Sequence, residues 1–199
     1  MTKIIDRFYK QTNTVKLAKE LLGKVIFSNI NNEISAGIIS ETEAYCGSSD
    51  KACHAYNYRK TKRTLTMFEE GGVAYIYLCY GIHHLLNIVT NIKNEPHAVL
   101  IRGIIALKGT DIMSQRVGRV IQKGENLNGP GKLTRALGIT TNLDNTPLSS
   151  DVLWLEDRSI NIPENSILIS PRIGIDYAGE DAHLPYRFNI KEEYFPYLK

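Results

Sequence analysis

The chain has 199 residues, of which 43% are hydrophobic and 23% charged, and its net charge is +3 at pH 7. This length provides one sizeable core and is short for two domains, while the apolar content excludes an intrinsically disordered chain. No apolar run approaches the ~20 residues of a membrane-spanning helix, and residues 1–6 lack the apolar core of a signal peptide. We therefore expect a cytoplasmic protein without a membrane partner.

The cysteines are few and scattered, at positions 46, 53 and 79. Their odd number argues against a disulfide framework, and the C-x₂-C spacing typical of zinc sites does not occur. We expect buried, unreactive thiols and no metal site.

The first predicted elements are a short helix and two paired strands. Residues 14–22 carry a stripe of leucines at helical spacing, and Gly23 is placed to end that helix. Residues 24–27 and 34–42 are typical of strands, and the polar residues 28–32 between them predict a turn.

The middle of the chain predicts a short helix and then a β-hairpin. Ser48 or Ser49 is a candidate cap for a helix that extends through Cys53 and His54. Residues 73–79 and 85–89 form the two apolar strands of the hairpin, with Tyr80-Gly81-Ile82 at its tip.

The second half of the chain mixes strands with helices. Residues 99–105 predict a strand, and residues 110–121 and 130–137 predict helices, the latter with Pro130 in its first turn. Residues 152–155 and 167–170 predict late strands. Hairpins with scattered helices indicate an α+β fold. We expect a single domain over residues 1–199, with a mainly antiparallel curved sheet, surrounding short helices and a protruding β-hairpin.

Two glutamates and a tyrosine alternate along the chain where the strand 34–42 ends. Because side chains alternate across a strand, Glu41, Glu43 and Tyr45 share one face if the strand continues. Carboxylates are costly to bury without partners, so this group suits a site that holds a planar ligand and activates a water. The alternative is an edge strand with solvated glutamates.

A single arginine interrupts the apolar strand 99–105. A buried arginine requires an anion, and Glu43 is the obvious candidate for Arg102. The pair either holds a water between its two charges or forms a structural salt bridge.

Aromatic side chains supply candidate walls for a flat ligand. Tyr75 and Tyr77 point to one face of their strand, and with Tyr45 they could stack on a purine. The alternative is that all three belong to a core. His54 is either a hydrogen-bond donor to a ligand or a satisfied surface histidine.

The hairpin tip exposes Tyr80 and Ile82. Such residues at a tip suit a wedge that enters the DNA minor groove and unstacks bases. The alternative is that Tyr80 folds back onto the core.

Basic side chains occur in clusters that could follow a phosphate backbone. Those beside Tyr56 and Tyr58 are Arg59, Lys60, Lys62 and Arg63. Those later in the chain are Arg116, Arg119, Lys123, Lys132 and Arg135. A solvated face is the alternative, and we favour it for residues 116–123.

Taken together, the motifs resemble the alkyladenine (3-methyladenine) DNA glycosylases over nearly the whole chain. The segments that carry the resemblance are residues 41–45 (ETEAY), His54, residues 67–68 (MF), residues 75–81 (YIYLCYG), Asn87, residues 99–102 (VLIR), residues 129–133 (GPGKL), residues 172–175 (RIGI) and residues 185–188 (PYRF).

The resemblance implies roles for the catalytic centre and the base pocket. Glu43 would be the general base for a water that Arg102 and the backbone carbonyl of Ile173 also hold. Tyr45 and Tyr77 would sandwich the flipped base. His54 would add stacking and a hydrogen bond, while Asn87 would repel the exocyclic amine of normal guanine.

The resemblance also implies how DNA is bound and how a damaged base is released from it. Tyr80 would intercalate with Ile82 beside it. The basic clusters themselves, rather than the resemblance, lead us to expect that Arg59, Lys62, Arg63 and Lys132 contact the DNA backbone. The partner would be double-stranded DNA with damaged purines, and we expect a monomer. No metal or redox cofactor is required, and the motifs offer no lysine nucleophile, so a monofunctional enzyme that leaves an abasic site is expected.

Two positions depart from the family pattern. Asp181 stands where a tryptophan is expected, and Ile82 stands where a methionine is expected beside the wedge. Both bear on the substrate range.

Two other functions fit parts of the pattern. A nucleic-acid-binding domain would use the basic and aromatic residues but has no use for a water-activating carboxylate. A hydrolase of free nucleosides would leave the Tyr80 tip unexplained.

Overall fold

A computed structural model describes residues 2–198. Within them, ten strands form one open sheet whose pairings are antiparallel. The strands are β1 (Thr2–Lys3), β2 (Val25–Ile30), β3 (Glu33–Tyr45), β4 (Ala74–Cys79), β5 (His83–Thr90), β6 (His97–Lys108), β7 (Asn126–Asn128), β8 (Leu153–Asp157), β9 (Ile167–Ser170) and β10 (Arg187–Ile190).

The long pair β3 and β6 forms the centre of this sheet. One edge of β3 pairs first with β2 and then with β10, while the far edge of β6 pairs with β5 and β7. The register of β3 against β6 shifts on both sides of Glu41, and such bulges bend a strand. These two strands therefore position the residues of the ETEAY motif beside Arg102.

Helices are short and pack around the sheet. The α-helices are α1 (Asp6–Tyr9), α2 (Thr14–Glu20), α3 (Thr110–Val117) and α4 (Pro130–Leu137). The 3₁₀ helices are Gly47–Ser49, Tyr56–Tyr58, Leu65–Phe68, Thr141–Leu143, Glu164–Ser166, Asp176–His183 and Glu192–Tyr197. Across residues 2–198, no helix is long and apolar enough to cross a membrane. The predicted α+β fold is confirmed.

Helix α2 shows why the two faces of β3 differ. The hydroxyl of Thr42 donates a 2.8 Å hydrogen bond to the carbonyl of Ala18, and Leu17 is fully buried beneath the sheet. Because Thr42 points toward this main core, Glu41 and Glu43 point to the opposite face.

Three predicted boundaries were wrong, each for a local reason. Residues 28–30 continue β2, and the turn consists of Asn31 and Asn32, both with positive φ as in a two-residue hairpin. Helix α3 ends at Val117 because Gly118 adopts the left-handed conformation. The helix predicted through His54 is limited to Gly47–Ser49 and is followed by turns.

Candidate active site

A cavity of about 660 Å³ opens between β4, β6, the hairpin tip and the segment before Asp176–His183. The predicted site residues that line it are Tyr45, His54, Arg63, Tyr77, Tyr80, Asn87, Arg102, Lys132 and Ile173. Its volume lies within the roughly 300–1,000 Å³ typical of small-molecule sites. The fold thus gathers residues that are up to 130 positions apart in the chain, as the contact of Glu43 with Ile173 shows.

Glu43 lies directly behind the cavity wall, and its side chain is fully buried. Tyr45 Oη donates a 2.9 Å hydrogen bond to Glu43 Oε2, and the backbone N–H of Ile173 donates a 2.8 Å bond to Oε1. Arg102 Nε lies 3.4 Å from Oε1. All three partners line the cavity, so the carboxylate lies at the inner side of the cavity wall.

The anion nearest to Arg102 differs from the predicted one. Arg102 Nε donates a 3.0 Å hydrogen bond to Glu41 Oε1, which is shorter than its distance to Glu43. Arg187 on β10 also donates to Glu41 Oε1, at 2.7 Å. Sequence reasoning missed Arg187, because its approach depends on β10 pairing with the end of β3.

The surroundings of Glu43 adjust its proton affinity. Burial raises the pKa of Glu43 above its ordinary value. The guanidinium of Arg102 opposes this rise most strongly, followed by the N–H of Ile173 and the hydroxyl of Tyr45. A carboxylate with a raised pKa is a stronger base, provided that it is ionised at the working pH.

An aromatic cluster forms the opposite part of the cavity. The rings of His54 and Tyr77 meet edge to face with centroids 4.7 Å apart, and those of Tyr75 and Tyr77 lie 5.5 Å apart. His54 Nδ1 and Tyr75 Oη share a 3.0 Å hydrogen bond. Tyr75 is buried in a small core of its own and also lines the cavity, so both interpretations of this residue apply.

His54 is neutral in this environment. Burial lowers the pKa of His54 to about 4, with further contributions from the positive charges of Arg63 and Arg59. A neutral imidazole offers one donor and one acceptor nitrogen, so it can bind a base without adding charge.

Asn87 is buried on the floor of the cavity. Its amide nitrogen donates a 3.2 Å hydrogen bond to the carbonyl of Tyr75. Because the amide nitrogen is engaged by the backbone, the side-chain oxygen is the group left to face a ligand.

The hairpin tip projects from the molecule. Tyr80 is 92% exposed and Ile82 is 71% exposed. Tyr80 has a φ of 51°, a left-handed conformation that is unfavourable for a bulky residue. The alternative in which Tyr80 folds back onto the core is therefore wrong.

The four predicted DNA-backbone residues are all exposed, but Arg63 has a second environment. Its guanidinium carbon lies 4.7 Å from the centroid of the Tyr77 ring, and its Nη2 is 3.5 Å from His54 Nε2. Lys132 lines the cavity from the first turn of α4. Arg59 and Lys62 are exposed and do not line the cavity.

Sequence reasoning also missed an ion pair behind Tyr45. Arg172 donates hydrogen bonds to both carboxylate oxygens of Asp50, at 2.5 and 2.9 Å. Both side chains are almost completely buried. Neither residue type at these positions carries a local sequence signal, because the pair forms between segments 122 residues apart.

The described part of the chain, residues 2–198, contains no cluster of three or more histidine, cysteine, aspartate or glutamate side chains that could hold a metal ion. The thiol of Cys53 is buried, and burial raises its pKa to about 12. The expectation of buried thiols is thus confirmed for Cys53, whereas Cys46 and Cys79 are only partly buried.

Comparison with known proteins assigns this chain to a family. The model of the family described as methylpurine-DNA glycosylase (MPG) matches residues 7–194. This chain belongs to the methylpurine-DNA glycosylase family. The family resemblance inferred from the motifs is confirmed.

Relatives of this methylpurine-DNA glycosylase family member cover almost its whole length. Proteins named "Putative 3-methyladenine DNA glycosylase" include one from Chlamydia felis, 49% identical over 94% of this chain and 96% of the relative. The protein of the same name from Clostridium perfringens strain 13 is 42% identical, covering 96% of this chain and 97% of the relative. That from Bdellovibrio bacteriovorus is 38% identical and covers 96% of each chain.

The structure also explains one departure from the family pattern. The carboxylate of Asp181 accepts a 2.8 Å hydrogen bond from the N–H of Lys51, so it holds a loop rather than forming a cavity wall. Tyr177 lines the cavity nearby, and its hydroxyl donates a 3.1 Å bond to the carbonyl of Ala52. Tyr177 therefore provides aromatic surface at this edge of the cavity.

Proposed function

We propose that this protein is a monofunctional DNA glycosylase that removes alkylated or deaminated purines from duplex DNA. The expected bases are of the 3-methyladenine, 7-methylguanine and hypoxanthine type. The observation that carries this proposal is the Glu43 carboxylate, held by Tyr45, Arg102 and Ile173 directly behind a cavity walled by aromatic rings. The family membership and the names of the relatives support the same activity.

The proposed reaction is hydrolysis of the N-glycosidic bond. A water binds where Arg102 and Ile173 meet the cavity, and Glu43 accepts its proton as the oxygen bonds to the sugar carbon. The bond from that carbon to the purine nitrogen breaks, and its electron pair leaves with the base. A cationic alkylated purine thereby leaves as a neutral base, whereas hypoxanthine leaves as an anion that takes up a proton from solvent, and Glu43 returns its proton to solvent. Glu43 has the capacity for this water, because a carboxylate offers about four acceptor positions and two are taken by its short hydrogen bonds.

The aromatic residues and the hairpin tip account for access to the base. The target purine leaves the duplex and stacks between Tyr45 and Tyr77, with His54 at its edge. Tyr80 fills the vacated space in the duplex, and Ile82 lies beside it in the groove. The energy of unstacking is smallest for damaged or mismatched bases, which favours them over normal ones.

Positive charge outside the cavity binds the DNA backbone. Lys132 is exposed and lines the cavity, and Arg59 and Lys62 are exposed on the segment that carries Arg63, so all three can contact phosphates. Arg63 reaches the mouth from the same loop. The protein is proposed to act as a monomer in the cytoplasm, with water as the only reactant besides DNA and Glu43 regenerated after each turnover.

The test is release of free base from duplex oligonucleotides that contain hypoxanthine or a methylated purine. We expect chromatographic detection of the free base and an intact strand that breaks only on alkali treatment. Borohydride should trap no covalent complex, because the mechanism has no Schiff base. Release from free nucleosides but not from duplex DNA would instead support a nucleoside hydrolase, and tight binding without release would support a binding domain.

A further inference from the structure

The segment that follows β9 packs against Tyr45 and Glu43, and a buried arginine anchors it. The side chain of Arg172 has no exposed surface and contacts four groups besides Asp50. Its Nη1 donates a 2.8 Å hydrogen bond to the carbonyl of Ala44, and its Nη2 donates a 3.2 Å bond to the carbonyl of Asp181. Its guanidinium carbon lies 4.9 Å from the Tyr45 ring centroid and 5.3 Å from that of Tyr186.

Asp50 extends this anchor to the other side of Tyr45. Its Oδ2 accepts a 2.9 Å hydrogen bond from the N–H of Cys46, and its Oδ1 accepts a 3.0 Å bond from the N–H of Ala52. The residues before and after Tyr45 are therefore both held by the ion pair, and the ring of Tyr45 lies against the guanidinium. This arrangement leaves Tyr45 little freedom to move away from Glu43.

The same arginine also determines where the next residue lies. Ile173 directly follows Arg172, and its N–H donates the 2.8 Å hydrogen bond to Glu43. Ile173 itself is 48% exposed, so its side chain contributes little to fixing this backbone. The position of the N–H depends on the buried side chain one residue earlier.

We propose that Arg172, held by Asp50, is a positioning residue that fixes both Tyr45 and the N–H of Ile173 against Glu43. This inference rests on the proposed function, since it concerns the placement of the groups that serve the proposed base.

A purely structural role explains the pair less well. Buried ion pairs are costly to desolvate, and well-packed apolar residues are often equally stabilising or better. Among residues 2–198, Nε of Arg172 is one of few buried side-chain polar atoms that lack a hydrogen-bond partner. The guanidinium therefore leaves one hydrogen-bond donor unpaired while it contacts Ala44, Asp50 and the Tyr45 ring. Catalytic groups need placement within about 0.5 Å, which a bidentate contact can provide.

The charged and titratable groups that face Glu43 define a readout for this role. They are Arg102 from β6 and Glu41 and Tyr45 from β3, while Arg187 from β10 contacts Glu41. The N–H of Ile173 lowers the pKa of Glu43. Loss of that bond should raise the pKa, so the pH below which activity falls should move upward.

The experiment measures single-turnover base release against pH for wild type, Arg172→Lys and the double variant Asp50→Asn/Arg172→Met. The double variant removes both charges of the pair and keeps the net charge. It therefore avoids the misfolding that a buried, unpaired Asp50 carboxylate would cause. We expect the acid limb to move up by about one pH unit and the plateau rate to fall roughly tenfold. Arg116→Lys is the matched control, because Arg116 bonds Ser35 and the carbonyl of Ala136 far from the cavity.

An acid limb that stays in place in both variants would overturn the positioning role, even if the plateau rate fell. Absence of any base release by the wild-type protein would overturn the proposed function instead, so the two failures are distinguishable.

Discussion

Tyr45 Oη donates a 2.9 Å hydrogen bond to Glu43 Oε2, and the two residues lie two positions apart on one face of β3. One strand therefore supplies both a cavity wall and the acid behind it. Because the hydroxyl at the end of the wall bonds the carboxylate, movement of the Tyr45 ring changes the environment of Glu43. In the proposed mechanism, the position of the stacked base is therefore coupled to proton transfer to Glu43.

Removing the Tyr45 hydroxyl should reduce the ionised fraction of Glu43 at low pH while keeping the aromatic ring that lines the cavity. The Tyr45 hydroxyl lowers the pKa of Glu43, so Tyr45→Phe should raise that pKa. The acid limb of single-turnover base release should then move to higher pH, while the rate at alkaline pH stays near that of wild type. Tyr9→Phe is the matched control, because the Tyr9 hydroxyl is buried in the main core. Equal acid limbs for wild type and Tyr45→Phe would contradict the coupling.

The strained hairpin tip predicts a conflict between stability and function. Tyr80 and Gly81 both have positive φ, which favours an Asn-Gly sequence in such a turn. Tyr80→Asn should therefore stabilise the fold by about 1 kcal/mol in urea unfolding. The same change should reduce base release from stably paired duplexes by roughly tenfold or more, and much less from single strands. Tyr197→Asn, at an exposed tyrosine outside the cavity, serves as the control.

A result in which Tyr80→Asn keeps full activity on paired lesions would remove Tyr80 from base extrusion. Unchanged stability would show that the left-handed tyrosine is not strained.

The neutral state of His54 predicts a dependence of stability on pH. The pKa of His54 is lowered from 6.5 to about 4 in the folded protein, so between these values the unfolded chain binds more protons. The free energy of unfolding should therefore be highest above pH 6.5 and should decrease as the pH falls toward 4. Urea unfolding at pH 4.5, 5.5 and 7.5 measures this effect.

The matching variant isolates the contribution of His54 from that of other groups. His54→Asn should lose less stability than wild type over the same pH range, because its side chain does not titrate. Identical pH dependence of wild type and His54→Asn would show that this imidazole is not held neutral.

Periodicity and local signals predicted much of the framework. The alternation of Glu41, Glu43 and Tyr45 predicted their common face, which their shared contacts confirm. Pro130 predicted the start of α4, because proline suits a first helical turn, and α4 ends at Leu137, where Gly138 adopts the left-handed conformation. These features depend on residues close together in the chain.

Features that depend on distant segments were not predictable in the same way. Arg102 bonds Glu41 because the register of β3 against β6 shifts around Glu41. The sequence does not reveal these shifts. The helix predicted after Ser49 failed because Asp50 bonds the N–H groups of Cys46 and Ala52, which competes with helical bonding. The basic neighbours of Arg63 predict a DNA contact but not the approach of its guanidinium to Tyr77, which depends on tertiary folding.

The role of Glu43 is the central claim, and an isosteric substitution tests it most directly. Glu43→Gln preserves the size of the side chain but removes its capacity to accept a proton from water. Single-turnover base release from a hypoxanthine-containing duplex should fall at least about 100-fold. Binding to a duplex with an abasic-site mimic should stay within a few-fold of wild type, and Glu33→Gln, an exposed residue paired with Arg116, should release base normally. Base release by Glu43→Gln at the wild-type rate would contradict the proposed mechanism.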